Sequence, residues 1–266
     1  MKIINIIRTT GFSSTNSYHT QLIWHLVKRD FIVQYKRSVL GVLWSLLLPL
    51  GQLIVLIFVF NKIIPLNIDS YPIFLFSALL PWSWFSDCIV SSGIVFLNNR
   101  DLVLKPNFDP SILIIVNTLS KFLLFLIALP LLFILMLYSG KTFTTSLLIL
   151  PLLILIQSIL TFGLSFFIAT LNSFFRDVQH IVSVAITMLF FLTPIFYDYQ
   201  VISEKYRFLY SLNPMATLIQ SYRLIFYYGN FPNILSMLYV CIASILILVV
   251  GYVTYRKNLH SLVDVI

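Results

Sequence analysis

The chain carries little charge for its length. Only 10% of its 266 residues are charged, whereas 59% are hydrophobic. Soluble globular domains carry about 25% charged residues, because a folded chain needs a polar surface to stay in water. The residues left between the apolar stretches are too few to build such a surface. The sequence therefore predicts an integral membrane protein.

Cysteines and acidic residues are also few. Cys88 and Cys241 both fall in apolar stretches, and their number and spacing match neither a disulfide framework nor a metal site. No two of the nine acidic residues stand at metal-ligand or acid–base spacing on one predicted helix, and no histidine pair follows an H-E-x-x-H pattern. We therefore expect no metal, no bound cofactor and no catalytic residue, unless carboxylates from distant stretches converge in the fold.

A nucleotide-binding loop is missing as well. Gly140-Lys141-Thr142 ends like a phosphate-binding loop, but that motif needs a glycine five positions before Gly140, and residue 135 is leucine. The triplet also lies in a turn between apolar stretches, with no strand before it. The sequence predicts that this chain does not hydrolyse ATP.

Six apolar stretches are each long enough to cross a bilayer, which takes about 20 helical residues. They lack the period-2 alternation of barrel strands, so the backbone pairing that lipid requires predicts helices. The predicted fold is all-α, with an N-terminal segment over 1–37, a six-span domain over 38–255 and a tail over 256–266. The spans cover roughly residues 38–60, 72–97, 111–138, 146–171, 178–197 and 233–255.

Basic residues predict the orientation. The net charge of +8 divides between the two sides of the membrane, so it gives no reason to expect nucleic acid. With the N-terminus inside, most Lys and Arg lie in cytoplasmic segments, which predicts that both termini are cytoplasmic. Lys121 falls within a span, and the basic residues left outside are Lys62, Lys141, Lys205, Arg207 and Arg223.

An amphipathic helix is predicted before the first span. Its apolar residues recur at helical spacing, and its basic residues lie on other faces. We expect it to lie in the cytoplasmic interface, with the apolar stripe in the headgroup boundary. Its basic residues either anchor the orientation only or bind lipid phosphate. The stripe comprises Leu22, Ile23, Leu26, Val27 and Phe31, and the basic residues are Lys28, Arg29, Lys36 and Arg37.

The outer connection from 198 to 232 is long and rich in tyrosine. After Asn213-Pro214, a helical pattern runs over 215–228 and stops at Gly229. That run is too short to span a bilayer. It suits short re-entrant or interfacial helices between spans five and six, or else an aromatic belt that anchors an outer loop.

Two charges fall inside predicted spans. Asp87 lies in the second span and Lys121 in the third, at a similar depth. A lone charge in hydrocarbon is costly, and antiparallel neighbours bring such side chains together. The sequence therefore predicts an intramembrane ion pair with a structural or gating role. The alternative is that Lys121 snorkels to the inner surface.

Several motifs fall in one order along the chain. They are Lys28-Arg29-Asp30, Tyr35–Ser45, Leu79–Phe85, Leu171–Asp177, Leu192–Tyr197 and Leu212–Met215. Together they resemble the permease subunit of ABC exporters for bacterial surface polysaccharides, the group that serves O-antigen, capsule and teichoic acid. The resemblance covers about residues 20–255. An exporter of drugs or lipids on the same fold, and an intramembrane enzyme acting on polyprenyl-phosphate sugars, are the alternatives.

The resemblance implies a transport subunit, not an enzyme, in the bacterial cytoplasmic membrane. It implies a homodimer that pairs with two copies of a separate ATP-binding cassette subunit, which binds ATP and Mg²⁺. The dimer is expected to enclose a path for a polyprenyl-diphosphate-linked glycan, with O-antigen as the first expectation and teichoic acid or capsule next.

The resemblance also implies a coupling role for four charged residues in cytoplasmic loops. These loops contact the ATPase in the family, and the residues here are Arg100, Asp101, Arg176 and Asp177. For Arg176 and Asp177, capping of the two adjoining helix ends is the alternative.

A glycan path and its entrance follow from the same resemblance. The four basic residues of the amphipathic helix are expected to meet the lipid diphosphate at the cytoplasmic entrance. Aromatic side chains line the glycan path in the family, because the C–H faces of sugar rings stack on aromatic rings. The candidates here are Tyr35, Trp82, Trp84, Phe85 and Tyr197.

Overall fold

The computed structural model describes residues 13–36, 38, 41, 43–64, 66, 68–106 and 108–265. Within these residues every regular element is helical. The α-helices are α1 (Ser13–Tyr35), α2 (Leu43–Phe58), α3 (Tyr71–Gly93), α4 (Val95–Asn98), α5 (Arg100–Val103), α6 (Ser111–Tyr138), α7 (Leu150–Phe174), α8 (Val178–Leu192), α9 (Glu204–Leu212), α10 (Pro214–Arg223) and α11 (Ile234–Val265). π-helical turns extend α2 over Val59–Ile63 and α10 over Leu224–Tyr228, and a 3₁₀ turn over Thr145–Ile149 precedes α7.

In the described part of the chain, four helices are long and apolar enough to cross a membrane. They are α3, α6, α7 with its preceding 3₁₀ turn, and most of α11. Shorter apolar helices occupy the predicted first and fifth stretches, over Leu47–Ile63 and Val178–Leu192. The helix of the fifth stretch, α8, ends at Leu192, whereas the predicted span ends at residue 197. It ends early because Thr193 precedes Pro194, and a residue before proline favours extended backbone.

The central helix is α3, which is buried along most of its length and packs against α6, α7, α8 and α10. Its proline, Pro81, contributes a carbonyl that accepts a hydrogen bond from Gln157 Nε2 at 2.8 Å. Gln157 belongs to α7 and is fully buried. This hydrogen bond from the Gln157 side-chain amide holds α7 against the middle of α3, where an unpaired polar group would be costly.

The closest helix pair is α7 and α11, which meet at two glycines. A Cβ atom on Gly251 would overlap the carbonyl oxygen of Gly163, and one on Gly163 would overlap the backbone of Leu248. Small residues let helix backbones approach in this way, which is typical of helix interfaces inside membranes. The face of α11 that points away from the bundle is exposed and largely apolar from Ile234 to Val253.

The stripe of α1 packs against the first turns of α6, where Ile112 and Val116 are buried with it. The predicted helix is present, and part of its stripe is covered by α6: Leu26 and Val27 are buried, whereas Leu22, Ile23 and Phe31 are partly buried. Its position at the headgroup boundary stays a prediction. The exposed apolar residues of α1 are Trp24, Ile32 and Val33.

The first and last described helices both reach one end of the bundle, here named the α5 end, where each contacts the region around α5. Arg29 of α1 donates from Nη2 to Asn99 Oδ1 at 3.0 Å, just before α5. Tyr255 of α11 donates to Asp109 Oδ1 at 2.9 Å, and Leu262 is buried in the same apolar cluster as Val103 of α5. The helix α11 thus continues without a break into the predicted tail.

Candidate functional site

A cavity of about 740 Å³ lies between α2, α3, α6 and α8. On its wall, α3 presents a polar stripe in an otherwise apolar helix, because residues three and four apart share one helix face. The stripe consists of Ser83, Ser86, Asp87 and Ser91. Further polar lining residues come from the other helices: Gln52, Lys121, Gln179 and Thr187.

Two of the five predicted path aromatics, Trp82 and Trp84, line this cavity. Phe85 is buried and packs on Trp82, with ring centroids 5.7 Å apart, but it does not reach the cavity. Tyr197 lies beyond the end of α8, also outside the cavity wall. The side chain of Tyr35 lies outside the described part of the chain. The role of all five in a glycan path stays a prediction.

Four further aromatic residues line the cavity that the sequence analysis did not single out. They are Trp44, Phe125, Phe190 and Phe191. Phe125 packs on Trp84, with ring centroids 4.9 Å apart. A sequence signal existed for Trp44, which lies in one of the quoted motifs, and for the two phenylalanines, which directly precede another. Phe125 lies in the middle of an apolar stretch and in none of the quoted motifs, so no sequence signal distinguishes it from its neighbours.

Asp87 and Lys121 both line the cavity, but they do not form a direct ion pair. Their charged atoms lie more than 4.0 Å apart, so the charges interact only across the cavity. The Asp87 side chain is exposed to the cavity and Lys121 is half-buried. The structure thus brings the two residues to one cavity but not into direct contact, and a structural or gating role for them stays a prediction. Among the described residues, no three His, Cys, Asp or Glu side chains could hold a metal ion.

The four predicted coupling residues are exposed at the α5 end. Arg100 and Asp101 begin α5, and Arg176 and Asp177 form the turn between α7 and α8. Within the described chain none of their side chains makes a hydrogen bond or ion pair. Asp177 is the N-cap residue of α8 but makes no capping hydrogen bond. The charges are therefore free to meet a partner, although their coupling role stays a prediction.

The turn between α7 and α8 is fixed to the end of α3 by two amide side chains, which we name the amide clamp: Asn172 and Gln179. Asn172 donates to the Gly93 carbonyl at 2.8 Å and accepts from the Gln179 backbone N–H at 2.9 Å. Gln179 in turn donates to the Val90 carbonyl at 3.1 Å. Because Asn172 is buried and Gln179 lines the cavity, the clamp connects the exposed turn to the cavity wall.

The predicted entrance residues do not all stand free. Arg29 pairs with Asp30 at 2.8 Å and also contacts Asn99, so it ties α1 to the segment before α5. Lys28 and Lys36 are exposed. Arg37 lies outside the described residues. Binding of a lipid diphosphate by this group stays a prediction.

At the opposite end, named the α10 end, the buried cation Arg223 holds the segment after α8. Its guanidinium donates to the carbonyls of Ile195 at 2.7 Å and Tyr197 at 3.3 Å, and it lies 3.7 Å from the ring centroid of Phe74 in α3. Burial lowers the pKa of Arg223 to about 10, which leaves the side chain protonated at neutral pH. The sequence predicts Arg223 to lie in an outer connection, and no sequence signal indicates that it is fully buried.

The helix predicted over 215–228 is confirmed in position. The side chain of Asn213 caps it by accepting from the Met215 backbone N–H at 3.0 Å, and Gly229, with φ of 69°, ends it. An asparagine side chain before a helix accepts a hydrogen bond from a free N–H of the first turn, and glycine ends a helix because it adopts the left-handed conformation without a Cβ clash. Much of α10 is buried against α3, so the connection is part of the bundle rather than a free loop.

Tyrosines tie the α10 end together. Tyr227 donates to the Asp69 carbonyl at 2.7 Å, and the Lys141 ammonium lies 4.3 Å from the centroid of the same ring. Tyr228 donates to the Asp198 carboxylate. Burial raises the pKa of Tyr228 above its ordinary value, and the adjacent carboxylate raises it further. These contacts join the connection before α3 to the segments that follow α6, α8 and α10.

The fold and cavity define a multi-pass α-helical protein with a partly polar cavity between its helices, and sequence comparison gives its family. The family model described as ABC-2 type transporter matches residues 21–227. The chain belongs to this ABC-2 type transporter family, whose members of this kind are transport subunits rather than enzymes. Membership implies a multi-pass membrane protein and an ATP-binding cassette partner.

Curated relatives cover nearly the whole chain. It is 32% identical over 251 residues to the O-antigen export system permease protein RfbA of Klebsiella pneumoniae, covering 94% of this chain and 96% of that protein. It is 34% identical over 232 residues to the Myxococcus xanthus protein of the same name, covering 85% and 88%. The polysialic acid transport protein KpsM of Escherichia coli is 24% identical over 236 residues, covering 88% and 92%.

Proposed function

We propose that this chain is the transmembrane subunit of an ATP-driven exporter that moves a lipid-linked polysaccharide across the bacterial inner membrane. The observation that carries the proposal is the cavity, a polar and aromatic wall inside an apolar bundle of an ABC-2 chain. O-antigen is the first cargo, because the relatives named for O-antigen export are 32% to 34% identical. Capsule or teichoic acid comes next, since the polysialic acid relative is more distant.

The topology we propose has six spans with both termini in the cytoplasm. The shorter apolar helices α2 and α8 then cross the membrane together with the four long ones, and α9 and α10 form short re-entrant helices on the outer side. The contacts of α1 and α11 at the same end of the bundle support this arrangement, because an even number of crossings returns the chain to the side where it began.

The assembly we propose is a homodimer bound to two ATP-binding subunits, which hold ATP and Mg²⁺. ATP binding moves these subunits against the exposed charges at the α5 end. The movement of Arg176 and Asp177 then reaches the carboxyl end of α3 through the amide clamp, because Asn172 and Gln179 bond directly to α3 carbonyls. Since α3 carries the polar wall, its displacement alters the cavity. Lys28 and Lys36, with Arg37, are the cations we assign to the lipid diphosphate at the entrance.

The test is reconstitution of the chain with its candidate ATPase in lipid nanodiscs and vesicles. We expect a stable complex with two copies of each subunit, and movement of a polyprenyl-linked glycan only with hydrolysable ATP. A non-hydrolysable ATP analogue is the control. ATP-driven movement of a lipid or drug without glycan would favour the other exporter class. Sugar transfer by this chain alone, without ATPase association, would favour the enzyme class.

A further inference from the structure

Asp87 and Lys121 carry charges for which the described residues provide no partner, on helices α3 and α6 that are long and apolar enough to cross a membrane. Neither side chain has a hydrogen bond or ion pair within the described part of the chain, and they do not contact each other. Ser91, on the same stripe, differs because its hydroxyl lies 2.9 Å from Asn117 Oδ1 on α6. Ionisable residues at this depth normally pair or face a water-filled path. The carboxylate and the ammonium are therefore available to bind polar groups of a molecule that enters the cavity.

We propose that Asp87 and Lys121 form a sugar-binding station for an uncharged, hydroxyl-rich unit of the passing glycan. This inference rests on the proposed function and adds the substrate class. The Asp87 carboxylate accepts hydrogen bonds from sugar hydroxyls, and the Lys121 ammonium donates to hydroxyl or ring oxygens. Trp44 and Phe191, which line the same cavity and are exposed, give the apolar contact that the C–H face of a sugar ring requires.

The charge balance of the cavity favours an uncharged unit. Among the described lining residues, Asp87 and Lys121 are the charged ones, so their formal charges cancel. The other polar lining groups are serine and threonine hydroxyls and glutamine amides, which bind hydroxyls without selecting a charge. An acidic sugar would be attracted by Lys121 but repelled by Asp87, and a basic sugar the reverse, whereas an uncharged sugar forms hydrogen bonds with both groups and is repelled by neither.

A double-mutant cycle separates a sugar station from an ion pair coupled through water. The variants are Asp87→Asn, Lys121→Met and the two together, in the reconstituted complex. If each group binds the sugar, each single change lowers glycan export by about tenfold or more, the effect of losing one hydrogen bond to a charged group. The double variant is then at least as impaired as the worse single variant. An ion pair predicts that the double variant exports better than either single variant, because removing both charges leaves no unpaired charge in the cavity.

The controls keep the outcomes distinct. Lys62→Met removes an exposed cation away from the cavity and should leave export unchanged. Asp87→Glu and Lys121→Arg each keep the charge and should retain export. They provide the test if Asp87→Asn or Lys121→Met folds poorly. We expect a complex supplied with an uncharged hexose polymer on polyprenyl diphosphate to export it faster than a uronic-acid polymer on the same lipid. Restored export in the double variant, or equal export of both polymers, overturns the station. No glycan export by the unaltered complex overturns the proposed function instead.

Discussion

Arg223 shows how much one buried cation can contribute at the scale of single residues. Its guanidinium bonds two carbonyls after α8 and stacks on Phe74 of α3. Arg223→Met removes these contacts and leaves the carbonyls of Ile195 and Tyr197 without a donor. Each unpaired buried group costs about 1–3 kcal/mol, so we expect a loss of about 2–4 kcal/mol in the free energy of unfolding. Thermal unfolding of the purified chain in detergent measures it.

Arg207→Met is the matched control for this prediction. Arg207 lies in the same connection and bonds the carbonyls of Ile202 and Gln200, but its side chain is 39% exposed, so water replaces the lost donor. We expect it to change stability by less than about 1 kcal/mol. If Arg223→Met unfolds at the same temperature as Arg207→Met, Arg223 does not hold the α10 end.

At the scale of helices, the contact of α7 with α11 depends on glycine. Gly251→Ala places a methyl group against the Gly163 carbonyl, and backbone, unlike a flexible side chain, cannot move aside without separating the helices. We expect a loss of about 3 kcal/mol or more, at the upper end for overpacked sites. The measurement is thermal unfolding together with the yield of folded chain.

Gly51→Ala provides the comparison, because it makes the same chemical change in α2 where no atom lies within 4 Å of the new methyl group. Alanine favours helix over glycine by about 1 kcal/mol, so this variant should be as stable as the parent or slightly more stable. Similar losses in both variants would mean that the α7–α11 contact is looser than the structure shows.

Helix positions were predictable from the sequence, and helix contacts were not. The apolar stretches and the 214–229 helix depend on local signals such as run length, Asn213, Pro214 and Gly229, which act within a few residues. The burial of Arg223 and the packing of α1 on α6 depend on which helices become neighbours. The spacing of Asp87 and Lys121 gave a common depth, but rotation of each helix about its axis decides whether two side chains touch.

At the scale of the whole molecule, the amide clamp makes a prediction about coupling. Asn172→Ala removes both bonds that hold the α7–α8 turn to Gly93 and Gln179. We expect the complex to keep its ATPase subunits and hydrolyse ATP, while glycan moved per ATP falls by about tenfold. Ser173→Ala is the control, because it removes only a bond to the Ala169 carbonyl within α7. Equal transport per ATP in both variants would exclude the clamp from coupling.

The exposed charges of the same turn test where the ATPase is engaged. The Arg176 side chain is exposed and makes no hydrogen bond or ion pair with the described residues, so Arg176→Glu should leave the fold intact while reversing a charge that contacts the proposed partner. We expect weaker co-purification with the ATPase, or normal association with ATP hydrolysis no longer linked to export. Lys257→Glu makes the same reversal on an exposed residue of α11 near the α5 end and should keep both activities. Normal coupling and export in Arg176→Glu would remove Arg176 from the interface and leave α5, with Arg100 and Asp101, as the remaining contact.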